Sequence, residues 1–201
     1  MSDGFDAPRT AVVERETSET RVACSLDLDG SGVASIDTGI GFLDHMLTAL
    51  VKHARFDLEL RSEGDLEVDD HHTSEDVALV LGAALDRALG DRRGIVRFGH
   101  AYAPLDEALA RVVVDVSGRP FARVDLGFRR ESLGQIATEN LTHVFVSLAM
   151  AARMALHVDV LHGENDHHRA EAAFKALALA LRQATAESGT GEIASTKGTL
   201  V

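Results

Sequence analysis

Two histidine–carboxylate clusters of nearly equal composition stand far apart on this chain, Asp70-His71-His72-Thr73-Ser74-Glu75 and Asp166-His167-His168-Arg169-Ala170-Glu171. Their offset is constant, since 167−71, 168−72 and 171−75 all equal 96. Each sets adjacent histidines three and four residues ahead of a glutamate, in front of an Ala/Leu-rich run of helical spacing. At a helix start, residues i and i+4 share a face while adjacent residues diverge by about 100°. His71 and Glu75 can therefore grip one ion, as can His167 and Glu171, while His72 and His168 must point towards a second ion. His45 and His143, related by an offset of 98, complete the set of candidate ligands. Eight groups divided by a pseudo-twofold give four per ion. One symmetric partition is His71, Glu75, His143 and His168 for one ion, and His72, His45, His167 and Glu171 for the other.

Imidazole and carboxylate donors in such numbers suit Mn, Fe, Zn or Ni better than Ca or Mg. Four protein ligands on an octahedral ion leave two positions for substrate and water. A closed structural zinc site draws more often on cysteine, and the chain has one, Cys24. Asp44, Asp70 and Asp166 are expected to orient the ligating imidazoles.

A second group of candidates is cationic. Arg97 lies in Gly94-Ile95-Val96-Arg97-Phe98-Gly99, Arg119 in Ser117-Gly118-Arg119-Pro120, and Lys197 in Ser195-Thr196-Lys197-Gly198. Lys175 stands one helical turn beyond Glu171. Such side chains make charge-assisted hydrogen bonds to phosphate. One further motif, Asp27-Leu28-Asp29-Gly30-Ser31, imitates the nucleophile loop of haloacid-dehalogenase-type phosphatases. That chemistry needs a parallel α/β domain with later Lys and Asp loops, so the motif is read as a turn.

The elements that must position these residues fall into two similar halves. Thr10–Arg15, Arg21–Leu28 and Gly32–Ile36 alternate as strands, with Asp29–Gly32 carrying a hairpin-turn composition. Gly41–Ala54 has helical spacing, Phe56–Leu60 alternates, and a helix runs from Val77 to Leu89. The second half repeats the plan, with strands Ala110–Val116 and Phe121–Leu126, a helix Leu141–Arg153, a strand Ala155–Val160 and a helix Ala170–Ala184. The expectation is an internally duplicated α+β fold, a two-layer sheet/helix sandwich with repeats at 9–93 and 94–187 and a tail at 188–201.

At 201 residues the chain can bury one sizeable core. Its hydrophobic content of 45% holds no run near the roughly 20 residues of a membrane span. A net charge of −12 argues against nucleic-acid binding, which rests on Lys and Arg. The acidic start, Met1 to Asp6, has no basic or apolar leader region, and a single cysteine fits a reducing cytoplasm.

These motifs together resemble the imidazoleglycerol-phosphate dehydratase family of histidine biosynthesis. The resemblance is carried by Arg15-Glu-Thr-Ser-Glu19-Thr, Gly41-Phe-Leu-Asp-His45-Met-Leu, both Asp-His-His clusters, Gly94-Ile-x-Arg97-Phe-Gly, Ser117-Gly-Arg119-Pro and Ser195-Thr-Lys197-Gly, which span nearly the whole chain in order. It implies repeats like the second domain of ribosomal protein S5, two Mn2+ per active site, and a homo-oligomer of 24 subunits with sites between subunits. It implies the metal ligands His45, His71, His72, Glu75, His143, His167, His168 and Glu171. It places Arg97, Arg119, Lys175, Ser195 and Lys197 on the substrate phosphate, with His53 nearby and Glu19 as a substrate-contacting carboxylate. Glu19, Glu75, Glu171, His45 and His72 are the residues it places in the reaction. The expected activity is loss of water from a small phosphorylated imidazole through a dimetal-bound imidazolate. Glu19 or a metal-bound water is the candidate for proton transfer, with Glu75 and Glu171 as further candidates. A dinuclear metallophosphatase is the alternative, though such sites lean on Asp and Glu rather than on six His to two Glu. A metal-storage protein without turnover is a third reading, and it leaves Arg97, Arg119 and Lys197 without a task.

Overall fold

The computed structural model describes residues 8–200. The acidic start, Met1 to Asp6, lies outside them, as does Val201.

Strand β2 (Thr20–Asp27) alternates strictly, burying Val22, Cys24 and Leu26. That pattern suits a central strand, and β1 (Thr10–Glu16) and β4 (Asp57–Gly64) flank it, both antiparallel. Strand β3 (Ala34–Asp37) pairs parallel with β4 on the far edge, giving the order β1-β2-β4-β3. Helix α1 (Gly41–Ala54) makes the crossover that a parallel β3–β4 pair requires. Helix α2 (His71–Leu89) then lies across β1, β2 and β4.

The second half repeats this plan. Strands β5 (Phe98–Leu105), β6 (Ala108–Asp115), β7 (Phe121–Asp125) and β10 (Ala155–His162) form a sheet of order β5-β6-β10-β7. Helix α3 (Thr138–Ala151) makes the β7–β10 crossover, and α4 (Asp166–Thr185) covers β5, β6 and β10. A small hairpin, β8 (Ser132–Leu133) with β9 (Ile136–Ala137), is particular to this half. The helices pack across the repeats, α1 against α4 and α2 against α3, and one apolar core runs through both halves. The expected duplicated α+β architecture is therefore present.

Three local readings are corrected. First, Asp29–Gly32 does not close a hairpin, because β4 inserts between β2 and β3. The Asp57 carboxylate instead accepts the backbone N–H groups of Ser31, Gly32 and Val33 at 2.8–3.0 Å. The N–H of Val33, then that of Ser31, hold the Asp57 carboxyl below its ordinary range. The dehalogenase-like motif is thus part of a turn, in which Asp27 accepts from the N–H of Asp29. Second, β5 has no apolar alternation to betray it. Its inward positions are Gly99, Ala101 and Ala103, while Phe98 and Tyr102 face out. Small residues are needed there because α4 lies directly on the strand; a Cβ on Gly99 would stand 1.9 Å from the Ala180 carbonyl oxygen. Third, α2 and α4 begin at His71 and Asp166, so the candidate ligands lie in the first helical turns rather than ahead of them.

The α2–α3 contact is close enough to exclude a methyl group. A Cβ on Gly82 would stand 2.7 Å from both the Leu148 carbonyl oxygen and the Ala151 Cβ. Alanine gains about 1 kcal/mol of helix propensity over glycine, but forcing two backbones apart costs about 1–3 kcal/mol. The Gly82→Ala protein is expected to lose about 2–4 °C in Tm for each kcal/mol of net loss. A thermal melt showing an unchanged or higher Tm would mean that the two helices separate freely.

Candidate metal centre

The cross-repeat helix pairs bring the candidate ligands together. His71 and Glu75, one turn apart on α2, meet His143 from α3. His167 and Glu171, one turn apart on α4, meet His45 from α1. In each triad the ligand atoms lie within 4.8 Å of one another. His143 Nε2 stands 2.9 Å from Glu75 Oε1, and His71 Nε2 3.8 Å from Glu75 Oε2. His45 Nε2 and His167 Nε2 each stand 3.2 Å from Glu171 Oε2. An ion about 2.1 Å from each donor would hold those donors about 3.0–4.2 Å apart. The donor set and spacing therefore fit a divalent transition ion.

Both helix starts are built alike. Asp69 and Asn165, 96 residues apart, accept at 2.8 and 2.9 Å from the backbone N–H groups of His71 and His167. This fixes the first turn, and with it the direction of the paired histidines.

His72 and His168 lie outside the triad formed by their own helix. His72 Nδ1 is 3.0 Å from Asp65 Oδ2, with Glu19 Oε2 at 3.8 Å. His168 Nδ1 is 2.7 Å from Glu107 Oε2. These contacts, from Asp65 and from Glu107 respectively, raise both imidazole pKa values above the ordinary one. A carboxylate on Nδ1 leaves Nε2 as the ligand atom. Glu107 is itself held to a pKa of about 2, first by the backbone N–H of Asn165, then by His168 and the N–H of Glu164.

The expected orienting residues need correction. Asp44 accepts from Thr38, and Asp166 accepts from the N–H groups of Arg129 and Arg130. Both carboxylates tie down loops rather than imidazoles. Asp70 acts at one remove: it accepts from Asn140 Nδ2 at 3.0 Å, and Asn140 Oδ1 lies 3.0 Å from His71 Nδ1. The direct partners are thus Asp65, Glu107 and Asn140, none of which sequence reasoning assigned. One was accessible: Glu107 is the repeat copy of Glu19, as 107−19 equals 88, the offset between the starts of β2 and β6. Asn140, three residues before His143 on α3, shares its face. Nothing in the sequence singles out Asp65.

The cationic candidates divide. Arg97 makes a two-point contact to Asp115 at 2.7 and 3.0 Å and donates to the Ala194 carbonyl at 2.6 Å. Arg119 lies 4.0 Å from the same carboxylate and is largely exposed. Backbone bonds of Gly94 to Glu192 and of Ser188 to Gly94 hold the tail alongside, so the segment bearing Ser195 and Lys197 starts at Arg97. Lys175 belongs to the other cluster, with Nζ 2.6 Å from Glu171 Oε1. Burial pushes the Glu171 carboxyl up, but the hydrogen bond and charge of Lys175 outweigh it, and the net shift is downward. His53 sits in the last turn of α1, two turns beyond His45, and the structure brings it to neither triad. Cys24 takes no part, since burial pushes its thiol up to about 12.

Comparison with known proteins bears on what this arrangement is for. The family model described as imidazoleglycerol-phosphate dehydratase matches residues 38–181. The imidazoleglycerol-phosphate dehydratase of Salinibacter ruber is 55% identical over 201 residues, covering 100% of both chains. That of Schizosaccharomyces pombe is 50% identical, covering 96% of this chain and 100% of its own. A Phytophthora nicotianae protein of the same name is 56% identical over 98% of this chain, which spans 44% of that longer protein. The crystal structure of the Pyrococcus furiosus enzyme in complex with (S)-C348 matches with a TM-score of 0.81 and 38% identity, over 94% of this chain and all of that one. The Staphylococcus aureus enzyme matches with a TM-score of 0.78 and 35% identity over 89% and 100%. None of these supports the phosphatase alternative. With a duplicated fold, two like triads of candidate ligands and full-length identity above half, the chain belongs to the imidazoleglycerol-phosphate dehydratase family, lyases of histidine biosynthesis.

Proposed function

We propose that the chain dehydrates D-erythro-imidazoleglycerol phosphate to imidazole-acetol phosphate at two Mn2+ ions per active site. The observation that carries this reading is the pair of triads, identical in donor type and built from repeat-related positions. Each triad offers three ligands, one short of the four that the symmetric partition assigns. His168 is proposed to complete the His71–Glu75–His143 set and His72 the His45–His167–Glu171 set, each from a neighbouring subunit. In one chain both stand outside the triad of their own helix, with Nδ1 on a carboxylate. Sites shared in this way fit a closed homo-oligomer, proposed as 24 subunits. No helix among the described residues is long and apolar enough to cross a membrane, and the cytoplasm is the proposed location.

The reaction breaks a C–O bond beside the imidazole ring and a C–H bond on the next carbon, releases water, and leaves an enol that tautomerises to the ketone. When bound at the two triads, the ions would supply Lewis acidity that favours deprotonation of the ring near neutral pH and so makes it a source of electron density for expelling the hydroxyl. The chain's own residues do the rest. Asp65, Glu107 and Asn140 hold the histidines with Nε2 presented. Glu19, beside His72 and half-exposed, takes the proton from the carbon. Arg97, Arg119, Lys175, Ser195 and Lys197, with His53 nearby, anchor the phosphate and spend remote binding energy on placing the ring.

Incubating the manganese-loaded protein with imidazoleglycerol phosphate tests the reading. One ketone per substrate with no inorganic phosphate is expected; phosphate release would overturn it. The anchor is tested separately. Arg119→Ala is expected to raise KM by roughly ten- to a hundredfold, the worth of a hydrogen bond to a charged group, with manganese content unchanged. Loss of manganese would instead give Arg119 a structural role.

A further inference from the structure

The two triads share their ligand types but not their surroundings. Asp70 can only accept, so the Asn140 amide must turn its Nδ2 towards it and its Oδ1 towards His71. That forces the His71 proton onto Nδ1 and leaves Nε2 with its lone pair directed at Glu75. Asn140 is 7% exposed, and Asp70 also accepts from the N–H of Ala137 at 2.9 Å, so the relay is rigid.

At the repeat-related position, 140−98, stands Phe42. Its ring and that of His167 form a T-shaped pair, with centroids 5.2 Å apart and an interplanar angle of 81°. This packs the imidazole, but phenylalanine has no oxygen or nitrogen acceptor to fix its tautomer as the Asn140 carbonyl oxygen does for His71. The carboxylates differ in the same sense. Glu171 already holds Lys175 at 2.6 Å, whereas the equivalent position on α2, 175−96, is Leu79. Among the described residues Glu75 has no lysine or arginine partner. The proposed fourth ligands do not offset this, because His72 and His168 each have a carboxylate on Nδ1.

We infer that the two metal positions are unequal by construction: the first ion enters the His71–Glu75–His143 triad, and the His45–His167–Glu171 triad fills later and more weakly. The inference rests on the reading of both triads as metal sites. It makes Asn140 a positioning residue and Lys175 a competitor for the second ion.

The test is Mn2+ titration of the metal-free full-length protein, followed by calorimetry and by the electron paramagnetic resonance signal of free ion, with oligomer size tracked in parallel by light scattering. Two classes of one ion per chain are expected, at least about tenfold apart in Kd, the lower end of what an outer hydrogen-bond partner contributes. Crystals prepared with one ion per chain should place the manganese anomalous signal at Glu75. Asn140→Leu should weaken the tight class by about 10–100-fold and leave the weak class alone. Lys175→Leu should tighten the weak class, a gain that misfolding cannot imitate. Two equal sites, first occupancy at Glu171, or no gain from Lys175→Leu would overturn the inference while leaving the metal reading intact. Failure to bind any ion would overturn both.

Discussion

The Glu19→Gln protein should keep both manganese ions and turn over at least about a hundredfold more slowly, within the usual range for a lost general acid–base group. The duplication supplies the argument. Glu19 and Glu107 occupy equivalent turns, between β1 and β2 and between β5 and β6. Glu107 is committed, with His168 at 2.7 Å and two backbone N–H groups on its other oxygen. Glu19 is released from that task because Asp65 holds His72 at 3.0 Å, leaving Glu19 at 3.8 Å with its side chain 51% exposed. A carboxylate beside a proposed ligand histidine yet uncommitted is placed to move a proton. Glutamine keeps the shape and removes the base, so kcat should fall while metal content and oligomer size hold. An unchanged kcat would remove Glu19 from the reaction.

A larger loss is expected from His72→Ala. Removing this imidazole takes one of the four proposed ligands from an ion and leaves the half-sheltered Asp65 without its partner. The affinity cost should exceed the roughly 10–100-fold that loss of an outer partner produces, so one ion per chain should be missing at micromolar metal. If a neighbour supplies that histidine, the same substitution should also loosen the assembly. Metal analysis and light scattering on the purified protein check both effects, and turnover should be lost. His53→Ala is a suitable contrast, since it should leave both ions in place. Full manganese content and unchanged turnover in His72→Ala would sink the dinuclear scheme.

Sequence and tertiary structure contributed different things. The repeat, the paired helix starts and the eight candidate ligands were legible because they follow from local periodicity: i and i+4 share a helix face wherever the helix lies, and a constant offset survives folding. Strand β5 was not legible, because close packing under α4 demanded glycine and alanine inward and left the aromatic residues outside. The turn at Asp29–Gly32 was misread because turn composition does not say which strand pairs next; that is decided by the parallel crossover through α1. Asp44, Asp70 and Asp166 were reasonable partners by adjacency, yet Asp65, Glu107 and Asn140 hold the rings directly. Hydrogen bonds between segments 7 to 69 residues apart depend on how helices and loops are stacked. The set of candidate ligands, and one symmetric way of dividing it, was thus a property of the chain itself. That His143 meets His71 and Glu75, and His45 meets His167 and Glu171, within one chain was decided by the packing of α2 on α3 and of α1 on α4. Symmetry offers a partition, but side-chain spacing acts within one element and cannot choose the element that packs against it.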